Sequence, residues 1–520
     1  MPPASSICRA ARCGSAVLVV LLALLAGCAS LPSLDGRIVS TALAGTDGTR
    51  LGRAAQAAAR AHPGASGVLA LPDGRDAFAA RVRLADAAER SLDVQYYLWR
   101  NDMSGVLLFE ALRRAADRGV RVRLLLDDNN TTDEIDDVLA ALDAHPNVEV
   151  RLFNPFPVRR WRAFGFLGDF PRLNRRMHNK SFTADNQVTI VGGRNVGDNY
   201  FDAANDLLFV DLDVLAVGPV VQDVSRDFDR YWASDSAYPV GRVLPPADPA
   251  TLAAVRERAA SVERDPAARD YLAALADQPF VRALLAHRLP LEWSPVHLVS
   301  DDPAKGLGRA SRDELLAARL RRIVGDAPRR ELELVSPYFV PGENGTEYFA
   351  QLARSGVQVV VLTNSLAATD VMAVHAGYAR WRNPLLEAGV TLYEMKPTAE
   401  RGAPQRTGSS SAASLHAKTF VFDRERVFVG SFNIDPRSLR LNTELGVVID
   451  NRSLAATIAG TISRNVAERA WRMRLGDGGA LQWVERQAGR EVVHDEEPGS
   501  GFWRRLGVRL MSLLPLDWLL

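Results

Sequence analysis

Apolar and polar positions follow the same order twice along the chain. Ser91-Leu-Asp-Val-Gln-Tyr-Tyr-Leu-Trp99 reads as a strand, Val106 to Arg118 as an amphipathic helix capped by Gly119, and Gly119-Val-Arg-Val-Arg-Leu-Leu-Leu126 as a second strand. Further on, Glu331-Leu-Glu-Leu-Val-Ser-Pro-Tyr-Phe339 predicts a strand, Thr346 to Ser355 a helix, and Gly356-Val-Gln-Val-Val-Val-Leu362 a strand. Strand, helix, glycine, strand is a βαβ unit, so an α/β protein with a duplicated domain is expected.

Each unit leads to a hairpin that contains a histidine. Counting from His178 and from His416, Lys180 and Lys418 fall at +2, Asp185 and Asp423 at +7, Gly192 and Gly430 at +14, and Asn195 and Asn433 at +17. At +28 both halves carry a carboxylate, Asp206 and Glu444. Matches at five offsets across segments 238 residues apart are not a chance pattern.

These residue types suit a phosphodiester. Side chains at i and i+2 of a strand share a face, so each histidine projects beside its lysine. Brought together about a pseudo-twofold axis, the halves would surround one phosphate with two imidazoles, two ammoniums and two amides. An imidazole is a nucleophile when neutral and a general acid when protonated, and a pair supplies both roles. Lys180, Lys418, Asn195 and Asn433 are the candidate donors to the non-bridging oxygens as charge builds on phosphorus. Asp206 and Glu444 are the candidates for fixing the imidazole tautomers, as a triad aspartate does. Asp185 and Asp423, at an odd offset, face away from the histidines and are expected to make the hairpin turn or an ion pair there. His375 is expected to pack, with a headgroup contact as its alternative, and the remaining histidines have no partner pattern.

Length and composition narrow the setting. The chain has 520 residues, enough for two domains, with 47% hydrophobic and 24% charged residues and a net charge of +1. Arg9 and Arg12 precede the acid-free apolar run Ala16 to Ala26, which is too short to span a bilayer comfortably and reads as a secretory leader. It ends in Leu25-Ala26-Gly27-Cys28, which resembles the bacterial lipobox; the resemblance implies cleavage before Cys28 and acylation of that residue. Cys8 and Cys13 lie upstream of the cut, so a mature chain would hold no free thiol and no disulfide. Losing two arginines would bring the net charge to −1, which is not that of a general polyanion binder. Ala29 after the cysteine favours, by resemblance to sorting rules, an outer-membrane over an inner-membrane destination.

The two His-x-Lys-x4-Asp runs, each followed by Gly-Gly/Ser-x-Asn, resemble the phospholipase D superfamily over nearly all of the mature chain. The resemblance implies two pseudo-symmetric α-β-α sandwich domains packed around one shared active site, retention at phosphorus through a phosphohistidine, and neither metal nor cofactor. It also implies His178 as nucleophile and His416 as acid/base. The expected boundaries are a leader at 1–27, a first domain at 28–240, a helical connector at 241–290, a second domain at 291–495 and an amphipathic carboxyl-terminal segment at 496–520.

The superfamily acts on several phosphodiesters, so the substrate must be read elsewhere. The stretch from Asn154 to Phe170, with Arg172, Arg175 and Arg176, mixes aromatics with arginines before the first histidine and suits anionic lipid at an interface. Single-stranded nucleic acid and a solvated loop are its alternatives. Phe502 to Leu520 is apolar with three arginines, and is expected either to lie in the membrane interface or to dock on the core. These flanks, with Gly430-Ser-Phe-Asn-Ile-Asp-Pro-Arg-Ser438 and Leu441-Asn-Thr-Glu444, resemble the cardiolipin synthase branch; without two amino-terminal spans the chain points to the branch's C type. That resemblance implies phosphatidyl transfer onto phosphatidylglycerol from a second phospholipid, phosphatidylethanolamine or phosphatidylglycerol, at a membrane surface, with no nucleic acid and a monomeric catalytic unit. A hydrolytic phospholipase D, a nuclease and a non-catalytic lipid-binding lipoprotein are the alternatives.

Overall fold

A computed structural model describes residues 31–130, 133–159, 162–203, 209–276, 288–325, 328–397, 414–487 and 489–514. The leader, Cys28 and Asp206 lie outside the described residues.

In the first half the strands are β1 (Ser66–Leu71), β2 (Ser91–Tyr96), β3 (Arg121–Asp127), β4 (Val148–Phe153), β5 (Ser181–Ala184), β6 (Val188–Gly192), β7 (Phe209–Val210), β8 (Asp213–Val217) and β9 (Ala237–Pro239). They are followed by β10 (Glu292–Ser294), β11 (Val296–Ser300), β12 (Glu331–Val335), β13 (Gln358–Asn364), β14 (Thr391–Met395), β15 (Ser414–Leu415), β16 (Thr419–Phe422), β17 (Arg426–Gly430), β18 (Leu445–Ile449), β19 (Ala470–Leu475), β20 (Leu481–Gln487) and β21 (Arg490–His494). One sheet runs β10-β1-β8-β6-β5-β2-β3-β4-β9 and the other β11-β18-β17-β16-β12-β13-β14-β19-β20-β21. Seven strands of each match in order, from β1 to β4 and from β11 to β14, so the duplication seen in the sequence is a duplication of topology. In both, the central parallel strands are flanked by helices, which is why β2 is buried at every position.

The βαβ units form where periodicity places them, with two shifts. Helix Met103–Asp117 starts three residues before the expected Val106 because the Asp102 side chain accepts from the Gly105 N–H and caps it there. The strands end at Tyr96 and Val335, short of the expected Trp99 and Phe339, where the chain turns towards the junction of the two halves. Trp99 and Phe339 instead make single bridges to Val196 and Ile434, just beyond the two asparagines.

Inner faces of the sheets meet in an apolar seam that includes Val68, Val191, Val214 and Ala216 from one half and Val421, Val429, Val447 and Ile449 from the other. Burial of this seam locks the two domains together and fixes the axis about which their sites converge. Helices Pro249–Arg264 and Pro266–Ala276 occupy the connector and bury Val262, Ala268, Tyr271 and Leu275 in the first core. The boundary expected after residue 290 moves: β10 pairs with β1, and the second sheet begins at Val296. The Trp293 ring covers Gly67, where a Cβ would stand 2.9 Å from it, and that contact holds β10 in the first sheet.

Helix Phe502–Ser512 docks on helix Met372–Ala379 through Val508 and Met511, while Phe502, Trp503, Leu510, Leu513 and Leu514 stay exposed. Among the described residues no helix is long and apolar enough to cross a membrane.

Candidate active site

Each histidine stands just ahead of a tight hairpin whose strands are joined by three residues. The turns Asp185-Asn186 and Asp423-Arg424 have positive φ at both positions, from 52 to 55°, the conformation that matches the twist of tightly joined strands. Asp185 accepts from the backbone N–H groups of Glu89, Arg90 and Ser91 at 2.7–3.2 Å, and Asp423 accepts from those of Arg329, Arg330 and Glu331 at 2.7–3.1 Å. Both aspartates therefore tie the hairpin to the start of the neighbouring strand, far from the imidazoles.

The histidines lie where the two halves cross. The His178 N–H donates to the Thr443 carbonyl, and the His416 N–H to that of Val210, both at 2.8 Å, while β7 and β15 form a small parallel pair across the junction. His178 Nδ1 meets Glu444 Oε2 at 2.8 Å, and His416 Nδ1 meets Asp211 Oδ2 at 2.6 Å. Each imidazole thus takes its carboxylate from the opposite half. With Nδ1–H donated, Nε2 is left as the reactive nitrogen on both rings.

Glu444 meets an imidazole, that of the other repeat's histidine. The carboxylate on His416 is Asp211, which the offset count passed over in favour of Asp206. The sequence runs five residues further from Asn195 to its carboxylate than from Asn433 to Glu444, so equal offsets do not correspond there. The strand itself carried the signal: Asp211-Leu-Asp-Val matches Glu444-Leu-Gly-Val, and each enters the strand beside the hairpin.

Supporting contacts are dense. Ser431 and Ser438 donate to the two oxygens of Glu444 at 2.5 and 2.7 Å, and the Glu444 N–H donates to Asp301 at 2.9 Å. Tyr97 sets its ring edge-on to His178 at 4.8 Å, and Tyr200 does the same to His416 at 5.1 Å. Neither tyrosine was singled out in the sequence, since a strand end and a loop gave no spacing to read. Asn195 donates to the Tyr200 hydroxyl at 3.1 Å, and both asparagines are buried with their amide oxygens unpartnered. The lysine ammoniums each donate to the carbonyl of their own histidine, at 2.5 Å for Lys180. An ammonium has three N–H donors, so each lysine can meet a phosphate as well.

Burial of this cationic cluster sets its proton affinities. His178 is pushed down to about 4, chiefly by burial and with help from Lys180, against the attraction of Glu444. His416 is pushed down to about 3 by burial and Lys418, against Asp211. Burial also brings Lys180 down to about 7, with Lys418 adding to the lowering, and Lys418 to about 8 against the pull of Asp211 and Glu444. Asp211 and Glu444 are held well ionised, because the imidazoles and lysines outweigh the cost of burying them. At neutral pH the site thus holds neutral imidazoles, ionised carboxylates and two easily discharged ammoniums, a field that a bound anion would relieve.

Of the other sequence candidates, His375 is buried between Glu497 and Arg382 and packs. The arginines before the first histidine are largely engaged by the fold's own acids: Arg176 with Asp127, Arg159 with Asp128 and Asp136, Arg172 with Asp169. The side that faces outward is apolar, with Phe164 and Leu167 exposed on helix Arg162–Leu173.

A sequence profile for a "Cardiolipin synthase, PLD-like domain" matches residues 82–232 and 324–466, more than half of the chain. The chain belongs to the cardiolipin synthase family of phospholipase D-like proteins. It is 52% identical over 463 residues to cardiolipin synthase C of Escherichia coli (strain K12), a match that covers 88% of this chain and 97% of that protein. Cardiolipin synthase A of Salmonella arizonae is 25% identical, over 81% of this chain and 72% of its own length. In fold it resembles the phosphatidylserine synthase of Haemophilus influenzae Rd KW20, with a TM-score of 0.54 and 12% identity over 90% of this chain and all of that one. All eight residues of the crossed centre, His178, Lys180, Asn195 and Asp211 with His416, Lys418, Asn433 and Glu444, lie inside the two family segments.

Proposed function

We propose that this chain makes cardiolipin, transferring a phosphatidyl group from one phospholipid to the glycerol hydroxyl of phosphatidylglycerol through a phosphohistidine. The observation that carries the reading is the pair of imidazoles, each held through Nδ1 by a carboxylate of the other half, in a chain of the cardiolipin synthase family.

His178 Nε2 attacks phosphorus, while Lys180, Lys418, Asn195 and Asn433 hold the non-bridging oxygens as negative charge grows there. The P–O bond to the leaving alcohol breaks, and protonated His416 gives that oxygen its proton. The donor phosphate brings negative charge among the lysines that keep His416 neutral in the empty site, which raises its proton affinity when the acid is needed. In the second half-reaction, neutral His416 takes the proton of the incoming glycerol hydroxyl, the new P–O bond forms and the P–N bond breaks. Two inversions give retention. Asp211 stabilises the imidazolium and Glu444 holds the nucleophile's tautomer, as the aspartate does in a serine-protease triad.

The same reading places the protein at a membrane. Cys28 is taken as an acylated anchor after removal of residues 1–27, with the catalytic part facing the periplasm and the outer membrane favoured. Exposed Phe164, Leu167, Trp503 and Leu513, 55–82% accessible, support contact with a lipid surface. One chain supplies both halves of the centre, which supports a monomeric catalytic unit.

Purified protein given phosphatidylglycerol, with and without phosphatidylethanolamine, is expected to yield cardiolipin resolved by mass. Phosphatidic acid without cardiolipin would make the enzyme a hydrolase; DNA cleavage without lipid turnover would overturn the lipid reading.

A further inference from the structure

The two halves differ on the outer face of their sheets. In the first half, helices Gly74–Ala87 and Met103–Asp117 pack directly on each other and close that face. Their counterparts in the second half are Leu316–Val324, nine residues against fourteen, and Gly342–Arg354. The shortened helix leaves the pair parted over the sheet, and between them opens a cavity of about 740 Å³. That is the size of a small-molecule site, about 300–1,000 Å³ in proteins generally.

Its floor is apolar sheet surface, Leu334 and Phe420, together with Phe432, and its walls are Leu320, Tyr348 and Phe349. Arg321, Arg380 and Arg440 also line it, against a single acid, Glu343. The floor is adjacent in sequence to the catalytic residues: Phe420 lies two positions beyond Lys418, on the strand that begins at Thr419, and Phe432 and Ile434 flank Asn433. An apolar space of this volume is a cost to the fold unless something fills it, since its walls lose contacts that a packed core would make.

We propose that this cavity receives an acyl chain of the phospholipid bound at the two-histidine centre, with the arginines on its lining favouring an anionic lipid. The site then gains an asymmetry that two like repeats would lack, a half that grips a lipid tail as well as the phosphate. The proposal rests on the lipid reading of the site, and its test needs no turnover.

Binding of a series of soluble phosphatidylglycerols, their acyl chains lengthened one methylene at a time, is measured by calorimetry, with glycerophosphoglycerol as the chain-free control. Wild-type affinity is expected to rise about fourfold per methylene buried. Ala317→Trp, which places an indole in the cavity from the shortened helix, is expected to flatten that rise and leave affinity for glycerophosphoglycerol unchanged. Leu320→Glu, on the same partly exposed helix, gives an independent reading if the tryptophan variant misfolds. A wild-type series without chain-length dependence, or one unchanged in the folded variants, would overturn the proposal. Absence of cardiolipin in the product assay would instead overturn the transferase reading and leave this result standing.

Discussion

At the scale of single residues, the outcome turns on which carboxylate serves which imidazole. Glu444→Gln and Asp211→Asn each remove the charge that fixes a tautomer, and each is expected to lower kcat by about 10²–10⁴ with little change in fold. Asp206→Asn is expected to leave kcat within about twofold, since Asp211 already meets Nδ1 of His416; a large loss there would return the role to the residue that equal spacing picked. Glu444 was legible because its repeat has the shorter run of residues after the asparagine. Asp211 was hidden by five extra residues, although the Asp-Leu-x-Val entry to β8 announced it. The proton affinities give a second test, since kcat/KM reports the free enzyme. Neutral His178 is required, so activity falls as pH drops through about 4, where the ring takes its proton. Protonated His416 and charged lysines are required, so kcat/KM declines already above about 3, where His416 loses its proton, and more steeply as pH rises through about 7 to 8, where Lys180 and then Lys418 lose theirs. A rate that climbs above pH 8 would contradict this assignment of the ammoniums.

At the scale of elements, the motif aspartates are turn anchors. Periodicity and an odd offset from the histidine pointed that way, and the hydrogen bonds to three consecutive N–H groups give the physical reason. Asp185→Ala leaves those donors unpaired, that of Ser91 buried, and is expected to cost about 1–3 kcal/mol in denaturant unfolding, with kcat of the folded fraction nearly unchanged. Asp423 is more exposed; burial raises its proton affinity but the N–H groups of Arg329, Glu331 and Arg330 outweigh it, so the net shift is downward. A lowered carboxylate stabilises the fold above its unfolded value of 3.8 and loses that contribution as pH falls through the folded one, so its effect should fade only under strongly acid conditions. The periodic strands and helices were readable to within a few residues. What periodicity does not carry is the end of an element, set here by the Asp102 cap and by the turn of the chain towards the site.

At the scale of the whole molecule, the duplication predicted a shared site, and the seam between the inner sheet faces explains how it is held. The crossing of carboxylates could not be read from either repeat alone, because it depends on the chain of one half reaching the histidine of the other. It follows that neither half is expected to form a phosphoenzyme by itself: the first has His178 without Glu444, the second His416 without Asp211. Labelling of separately produced halves with phosphatidylglycerol should therefore give no adduct, whereas a labelled half would show that a single repeat suffices. The most direct test of the crossed two-histidine centre is to quench the intact protein rapidly in alkali during turnover of phosphatidylglycerol and locate the phosphatidyl group by peptide mass spectrometry. The adduct is expected on His178; an adduct on His416 with none on His178, or no covalent intermediate while cardiolipin accumulates, would contradict it.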